Sequence, residues 1–194
     1  MSDFNLNWAQ EYLGKKHDLI IFDIGAYNFQ DSINFKNHYP NSEVYSFEAY
    51  STNVNKYGNQ ARNRGVKVFQ LALSNVNEEK IFYNSVDMNG TEWTCSGSLL
   101  KPSEKEQFLH PGLNYNNQGE IVQCTTLNNF CEENNITDID IIHMDVQGAE
   151  YYVVQGFGDI RPKILFCETC EYESYDGAYK IEKRLQYDTL YIKI

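Results

Sequence analysis

Short apolar runs of strand length recur along the chain with helix-like stretches between them. Leu19-Ile20-Ile21-Phe22, Glu43 to Phe47, Val66 to Leu71, Ile139 to Met144 and Lys163 to Cys167 read as core strands. A leading helix is predicted over 4–16, where Phe4, Leu6, Trp8, Tyr12 and Leu13 stand among polar neighbours. Further helices are predicted over 30–39, over 51–64 ending near Gly65, from Thr126 as N-cap, and from Ala149 to Phe157. This alternation predicts βα units: an α/β fold with a mainly parallel central sheet flanked by helices. Residues 74–118 are less regular. A strand over 80–84 is followed by a stretch rich in Asn, Gly and Ser, which predicts loops over the site. Ile121 to Cys124 reads as a short strand, and the tail as a helix near 175–185 and a strand near 187–194. With a single terminal strand, the sheet is expected to be shortened at its C-terminal edge, an edge that a second subunit in a homodimer could cover.

Composition narrows the classes of function. A chain of 194 residues suits one domain over 1–194, with 42% apolar residues giving it a core. The formal charge of −11, with 16 scattered Lys and Arg, argues against nucleic acid as a partner. No apolar run approaches the ~20 residues of a membrane span, and Met1-Ser2-Asp3-Phe4 does not open a signal peptide, so a cytoplasmic protein without a membrane partner is expected. The five cysteines are odd in number and lack paired metal-ligand spacing. Reduced packing thiols are therefore expected, the lone Cys167-Glu168-Thr169-Cys170 included, with no metal.

The candidate chemistry lies at the strand ends, because open parallel sheets bind ligands beyond their carboxyl edges. These ends read Asp23-Ile24-Gly25-Ala26, Glu48-Ala49-Tyr50, Ala72-Leu73-Ser74-Asn75, Asp145-Val146-Gln147-Gly148 and Glu168-Thr169. Gly25 would let a nucleoside or amino-acid moiety approach the backbone closely. Asp23 is placed to face an ammonium group, and Glu48 to accept hydrogen bonds from both hydroxyls of a ribose. After Gly25 come Ala26, Tyr27, Asn28, Phe29 and Gln30, without the glycines of the G-x-G-x-x-G turn that seats a pyrophosphate. A dinucleotide is thereby disfavoured. S-adenosylmethionine, which carries a sulfonium, an ammonium and no phosphate, suits acidic strand ends better.

Five segments occur together in the order found in a known family: Phe22-Asp23-Ile24-Gly25-Ala26, Tyr45-Ser46-Phe47-Glu48, Leu71-Ala72-Leu73-Ser74-Asn75, Thr126-Leu127-Asn128-Asn129-Phe130 and Ile139 to Glu150. The last, with its Asp145-Val146-Gln147-Gly148-Ala149-Glu150 block, resembles the Asp-Val-Glu-Gly-Ala-Glu signature of FkbM O-methyltransferases. The resemblance spans about 19–170. It implies a Rossmann-like class I methyltransferase fold and S-adenosylmethionine as cofactor. It also implies cofactor binding at Asp23, Gly25 and Ala26, ribose contact at Glu48, adenine contact around Ala72, Leu73 and Ser74, and Asp145 near the transferring methyl. The sequence departs from the family at Gln147 in place of Glu, His143 in place of Lys, Ala49 in place of Pro, and in lacking the Gly usual near Phe29.

Methyl transfer to a hydroxyl requires in-line alignment and removal of the hydroxyl proton. Asp145 is the first candidate for positioning or proton removal, against a structural role capping the next helix. His143 shares its strand parity, although a histidine inside an apolar strand also suits a hydrogen-bonded core position. Glu168 could hold the acceptor, or a divalent cation together with Asp145. Glu150 falls in a first helical turn, where its charge favours the helix dipole. Trp93, Tyr115 and their neighbours over 86–118 are candidates for an acceptor lid, and Gly97-Ser98-Leu99 resembles a small-residue turn of the family. The expected acceptor, implied by the resemblance, is a hydroxyl of a sugar, glycan or other small molecule. The rival readings are a non-catalytic module that binds an adenosine ligand or a partner, a nicotinamide-dependent oxidoreductase, and an RNA methyltransferase.

Overall fold

The computed structural model describes residues 4–87, 92–101, 113–115, 119–168 and 177–194. Its helices are α1 (Trp8–Leu13), α2 (Gln30–His38), α3 (Ser51–Asn63), α4 (Leu127–Glu133) and α5 (Glu150–Gln155). Seven strands form the central sheet: β1 (Ile20–Ile24), β2 (Glu43–Glu48), β3 (Lys67–Gln70), β9 (Ile141–Met144), β10 (Ile164–Glu168), β11 (Tyr179–Arg184) and β12 (Asp188–Lys193). Their order is β3-β2-β1-β9-β10-β12-β11. The first five are parallel, and β12 runs antiparallel to both β10 and β11. This is the Rossmann-like methyltransferase arrangement expected from the sequence.

The central strands are hydrophobic on both parities because each face of the sheet is covered. Ile21, Ile141 and Ile164 pack with Trp8, Ile33, Phe35 and Val54 on the side of α1, α2 and α3. Their neighbours Phe22, Ile142 and Leu165 pack with Leu127, Phe130, Val153 and Val154 on the side of α4 and α5. Thr126 caps α4 as predicted, its hydroxyl accepting from the Asn129 amide at 3.1 Å. Among the described residues no helix is long and apolar enough to cross a membrane.

Two regions differ from the sequence reading. In place of loops over 74–118, the chain builds a second sheet from β4 (Ala72–Leu73), β5 (Glu79–Asp87), β6 (Glu92–Ser98) and β8 (Glu120–Thr125), with β7 (Leu113–Tyr115) also paired to β5. Backbone hydrogen bonding holds it together and the stacked Tyr50 and Phe82 rings fasten it to the turn before α3, so Asn84, Ser85 and Ser98 can be buried there without an apolar run to announce them. Trp93 and Tyr115 belong to β6 and β7, whereas 88–91, 102–112 and 116–118, which complete the expected lid, lie outside the described residues.

The second difference is at the carboxyl end. The helix expected near 175–185 is strand β11 from Tyr179 onward, while 175–176 and Cys170 lie outside the described residues. It forms a hairpin with β12, so the sheet is not shortened at that edge, and the argument for a covering subunit there loses its basis. Tyr179 and Ile181 alternate with Lys180, but the register shifts between Ile181 and Lys183, so the period of two is broken and four charged residues on this outer strand hide it.

At the amino edge of the sheet, buried Asp140 accepts hydrogen bonds from Lys16 at 2.8 and 3.0 Å, Lys163 at 2.8 Å and the Ile20 amide at 2.9 Å. Burial pushes its carboxyl up, but these donors outweigh burial and hold it below the usual range. Asp140→Asn should cost about 1–3 kcal/mol of unfolding free energy. Because the folded-state pKa is depressed, the difference between the two proteins should be complete above about pH 4 and shrink as pH falls further, read from urea unfolding across pH.

Candidate functional site

The chain leaves β1 for β2 on one side and later places β9 on the other, so the loops after β1 and β9 part above the sheet and open a crevice. Gly25 makes their closest approach possible. With φ +84°, it lies so near the Asp145 carbonyl that a Cβ there would stand 1.9 Å from the oxygen. The Asp145 amide in turn donates to the Ile24 carbonyl at 2.9 Å. A glycine is required here by backbone conformation and by space together.

The loop beyond Gly25 is tied to the end of β2 by Glu48. Its carboxyl accepts from the Tyr27 amide at 2.7 Å and the Tyr50 amide at 2.8 Å, with Asn53 Nδ2 at 3.4 Å. Burial pushes Glu48 up to about 8, against the lowering effect of the Tyr27 and Asn53 donors. Tyr27 and Phe29 take φ +49° and +61°, the left-handed region where L-residues are uncommon. Phe29 occupies the place near which the family has glycine, and its ring is fully buried among the side chains under α1 and α2.

Two cavities share Gly25, Tyr27, Cys95 and Asp145. The first is a cleft of about 550 Å³ including its open mouth, bounded by Glu48, Phe47, Leu71, Ala72, Leu73 and Phe82, with Gly97, Ser98 and Leu99 of the second sheet as its far wall. Ser98 reaches across it, its hydroxyl donating to the Val146 carbonyl at 3.3 Å. The second cavity, about 1640 Å³ counting space open to solvent, is bounded by Asp23, Asp31, His143, Asp145, Glu168 and Asp188, with Ala26 also in its wall.

The residues singled out in the sequence thus largely converge. Glu48, Ala72 and Leu73 border the cleft, Asp23, Ala26, His143 and Glu168 the larger cavity, and Gly25 and Asp145 both. Ser74 borders neither; it is buried, its amide bonded to the Thr125 carbonyl and its own carbonyl packed on Gly156. Asp23 is committed to internal partners: one oxygen lies 2.8 Å from His143 Nδ1, and the other accepts from the Ser32 hydroxyl. The His143 ring stacks on Phe166 with centroids 5.7 Å apart. Burial pulls the imidazole down, but the Asp23 hydrogen bond and charge raise it to about 9, which favours an ion pair at neutral pH.

Carboxyl oxygens of Asp145, Glu150 and Glu168 lie within 4.8 Å of one another. The buried Glu150 turns back to accept from the Val146 amide at 3.1 Å, bracing the loop that carries Asp145. Glu168 is pushed up to about 7 by burial and by the neighbouring Asp145, Glu150 and Asp188 charges. The contributions of Tyr27, Tyr50 and Asn53 were not legible in the sequence, because a backbone amide carries no sequence signal and Asn53 is one polar residue on a mixed helix. Phe82 did carry one, in the strand read over 80–84.

The donor set fits S-adenosylmethionine. A carboxylate has about four acceptor positions, so Glu48 retains capacity for a ligand hydroxyl, and apolar walls beside it suit a flat base. No Lys or Arg stands among the described residues lining either cavity, which suits a ligand with a sulfonium and an ammonium. Strand order, acid-ended strands and this cleft together define a class I S-adenosylmethionine-dependent methyltransferase. Comparison gives the family: residues 23–189 match the methyltransferase FkbM domain, and the chain belongs to that family. The 2-O-methyltransferase NoeI of Sinorhizobium fredii (strain NBRC 101917 / NGR234) is 29% identical over 171 residues, covering 84% of this chain and 68% of that protein. Among solved structures, a precorrin-6y C5,15-methyltransferase of Geobacter metallireducens GS-15 is similar at a TM-score of 0.49 and 12% identity over 97% of this chain and 88% of that one. M. capricolum TrmK in complex with S-adenosylhomocysteine is similar at 0.43 and 12% over 100% and 68%. Likenesses this distant support no argument, and the fold assignment stands on strand order.

The ribose contact expected at Glu48 has a measurable consequence. Glu48→Ala should weaken S-adenosylhomocysteine binding roughly 100-fold in calorimetric titration, with NAD giving no saturable heat in either protein. Ligand hydroxyls that donate to the charged carboxylate lower a pKa that stands near 8 in the free protein. Binding at pH 7 should therefore release protons and tighten as pH rises toward 8. The release appears as a dependence of binding heat on buffer ionisation enthalpy, lost in Glu48→Gln.

Proposed function

We propose that this methyltransferase methylates a hydroxyl of a sugar or other small polyol held in the larger cavity, with Glu168 taking the hydroxyl proton. The observation that carries the reading is the placement of Glu168 and Asp145 on that cavity, with carboxyl oxygens within 4.8 Å of each other and Asp145 also bordering the cleft beside Glu48. The O-methyltransferase relative NoeI supports a hydroxyl acceptor.

Bound S-adenosylmethionine supplies an electrophilic methyl group on a positively charged sulfur. The chain's part is to align an oxygen with that methyl and to remove its proton. Asp145 is held by the β1–β9 contact on one side and by Gln147, whose amide donates to Asp145 Oδ1, on the other. It orients the acceptor by accepting a hydrogen bond from it. Glu168, raised to about 7, is matched to a base working near neutral pH. As the new O–C bond forms and the S–C bond breaks, the hydroxyl proton passes to the Glu168 carboxylate. His143, bound to Asp23 and favoured in its charged form, positions Asp23 and offsets its charge instead of serving as the base. An acid-lined cavity that meets the cleft at Asp145 is a specific reason to favour catalysis over a module that only binds adenosine.

Because a base must be unprotonated and Glu168 stands near 7, kcat should rise with pH through about 7 and level off above it. Glu168→Gln should lower kcat about 10²- to 10⁴-fold, abolish that limb and leave S-adenosylhomocysteine affinity within a few-fold of wild type. Methyl transfer from labelled S-adenosylmethionine, measured against a panel of hydroxylated acceptors, provides the readout. Full retention of the limb in the variant would remove Glu168 from the role of base.

A further inference from the structure

The turn after β2 fastens the second sheet to the first, and three of its side chains each reach a different strand. The Tyr50 hydroxyl accepts from Asn84 Nδ2 of β5 at 3.1 Å. The Ser51 hydroxyl and amide donate to the Glu120 carboxylate of β8 at 3.0 and 2.9 Å. Asn53 Nδ2 donates to the Thr94 carbonyl of β6 at 2.9 Å. Of these three side chains, only that of Asn53 also reaches Glu48, its Nδ2 standing 3.4 Å from Oε1. An amide nitrogen carries two protons, so it can serve both acceptors at once. Asn53 is fully buried, and the strand it holds is part of the site: Thr94 and Cys95 border the cleft, and Cys95 the larger cavity as well.

We propose that Asn53 is a positioning residue for the cofactor: one side-chain amide holds the Glu48 carboxyl and the β6 wall of the cleft in register, and thereby sharpens selection for a ribose hydroxyl. The inference rests on the ribose contact at Glu48. The Tyr27 and Tyr50 amides and Asn53 Nδ2 occupy three of the carboxyl's roughly four acceptor positions, which fixes its plane and leaves capacity for a ligand hydroxyl in the cleft it borders. The Asn53 bond also favours the ionised form of Glu48 against burial, and an ionised carboxylate is the stronger acceptor. Loss of this amide therefore weakens acceptance of the hydroxyl and releases β6 at the same point. Small displacements there matter, because transfer depends on the alignment of the two ligands. The bonds made by the Ser51 hydroxyl and by Asn84 fasten the same sheet without touching the Glu48 carboxyl, so they separate positioning from fastening.

The test is calorimetric titration of the full chain at pH 7 with S-adenosylhomocysteine and with its 2′-deoxy and 3′-deoxy analogues. In the wild type at least one analogue should bind about tenfold more weakly than S-adenosylhomocysteine, or weaker still. Asn53→Leu, which nearly keeps the side-chain volume, should reduce that discrimination to about threefold or less while binding the weaker analogue within a few-fold of wild type. Ser51→Ala and Asn84→Ala should keep the wild-type ratio. In the wild type itself, the Asn53 side-chain amide resonances should shift when S-adenosylhomocysteine binds and shift less with the weaker analogue, a comparison that stands even if Asn53→Leu fails to fold. Unchanged discrimination in Asn53→Leu, or resonances that respond equally to both ligands, overturns positioning by Asn53. Equal loss of discrimination in all three variants overturns it too, in favour of general fastening of the sheet. Absence of discrimination in the wild type overturns the ribose contact at Glu48 and this inference with it, leaving the methyltransferase assignment intact.

Discussion

The approach of Gly25 to the Asp145 carbonyl is the constraint from which the site follows. Here the loops after two parallel strands part at a backbone contact so close that one chain must lack a side chain there. Gly25 meets that condition, and the Asp145 amide bonded to Ile24 closes the contact from the other side. The cleft beside Glu48 and the acid-lined cavity beside Glu168 are the two spaces left on either side of this junction. In the proposed reaction both ligands would be registered against one point of the sheet, which is what an in-line transfer between them demands.

Around that point the acids divide according to their neighbours. Asp140, at the opposite edge of the sheet, is surrounded by ammonium groups and stays ionised. Asp23 is matched by His143. Glu48 and Glu168 have no cationic side chain within bonding distance among the described residues and are raised instead, the first chiefly by burial and the second by burial together with other carboxylates. The same residue type thus serves as a structural anchor, a positioning partner and, in the proposed reaction, a proton acceptor, with environment deciding which.

Most of the sheet could be read in the sequence because buried parallel strands are short, apolar and bounded, and Ile139–Met144 and Lys163–Cys167 are unambiguous in that respect. Acids at strand ends were equally visible, since one charged residue closing an apolar run is a local pattern. The second sheet was not. Its strands hold buried Asn84, Ser85 and Ser98 and pair across long sequence separations, so periodicity had little to report. Strand β11 was misread because an outer strand with four charges in six residues and a shifted register offers the same composition as an exposed helix. Nor could the sequence show that Asp23 is turned to His143: that pair is made by register between β1 and β9, 120 residues apart.

Phe29 ties the loop after β1 to the core. Its backbone takes a conformation that suits glycine, yet its ring fills a fully enclosed place beneath two helices. Relief of the turn is worth about 1 kcal/mol, whereas emptying a phenyl-sized hole costs roughly 3–5 kcal/mol. Phe29→Gly would therefore lose more in the core than it gains in the turn. The loop over the cleft is in this way held in shape by the core behind it.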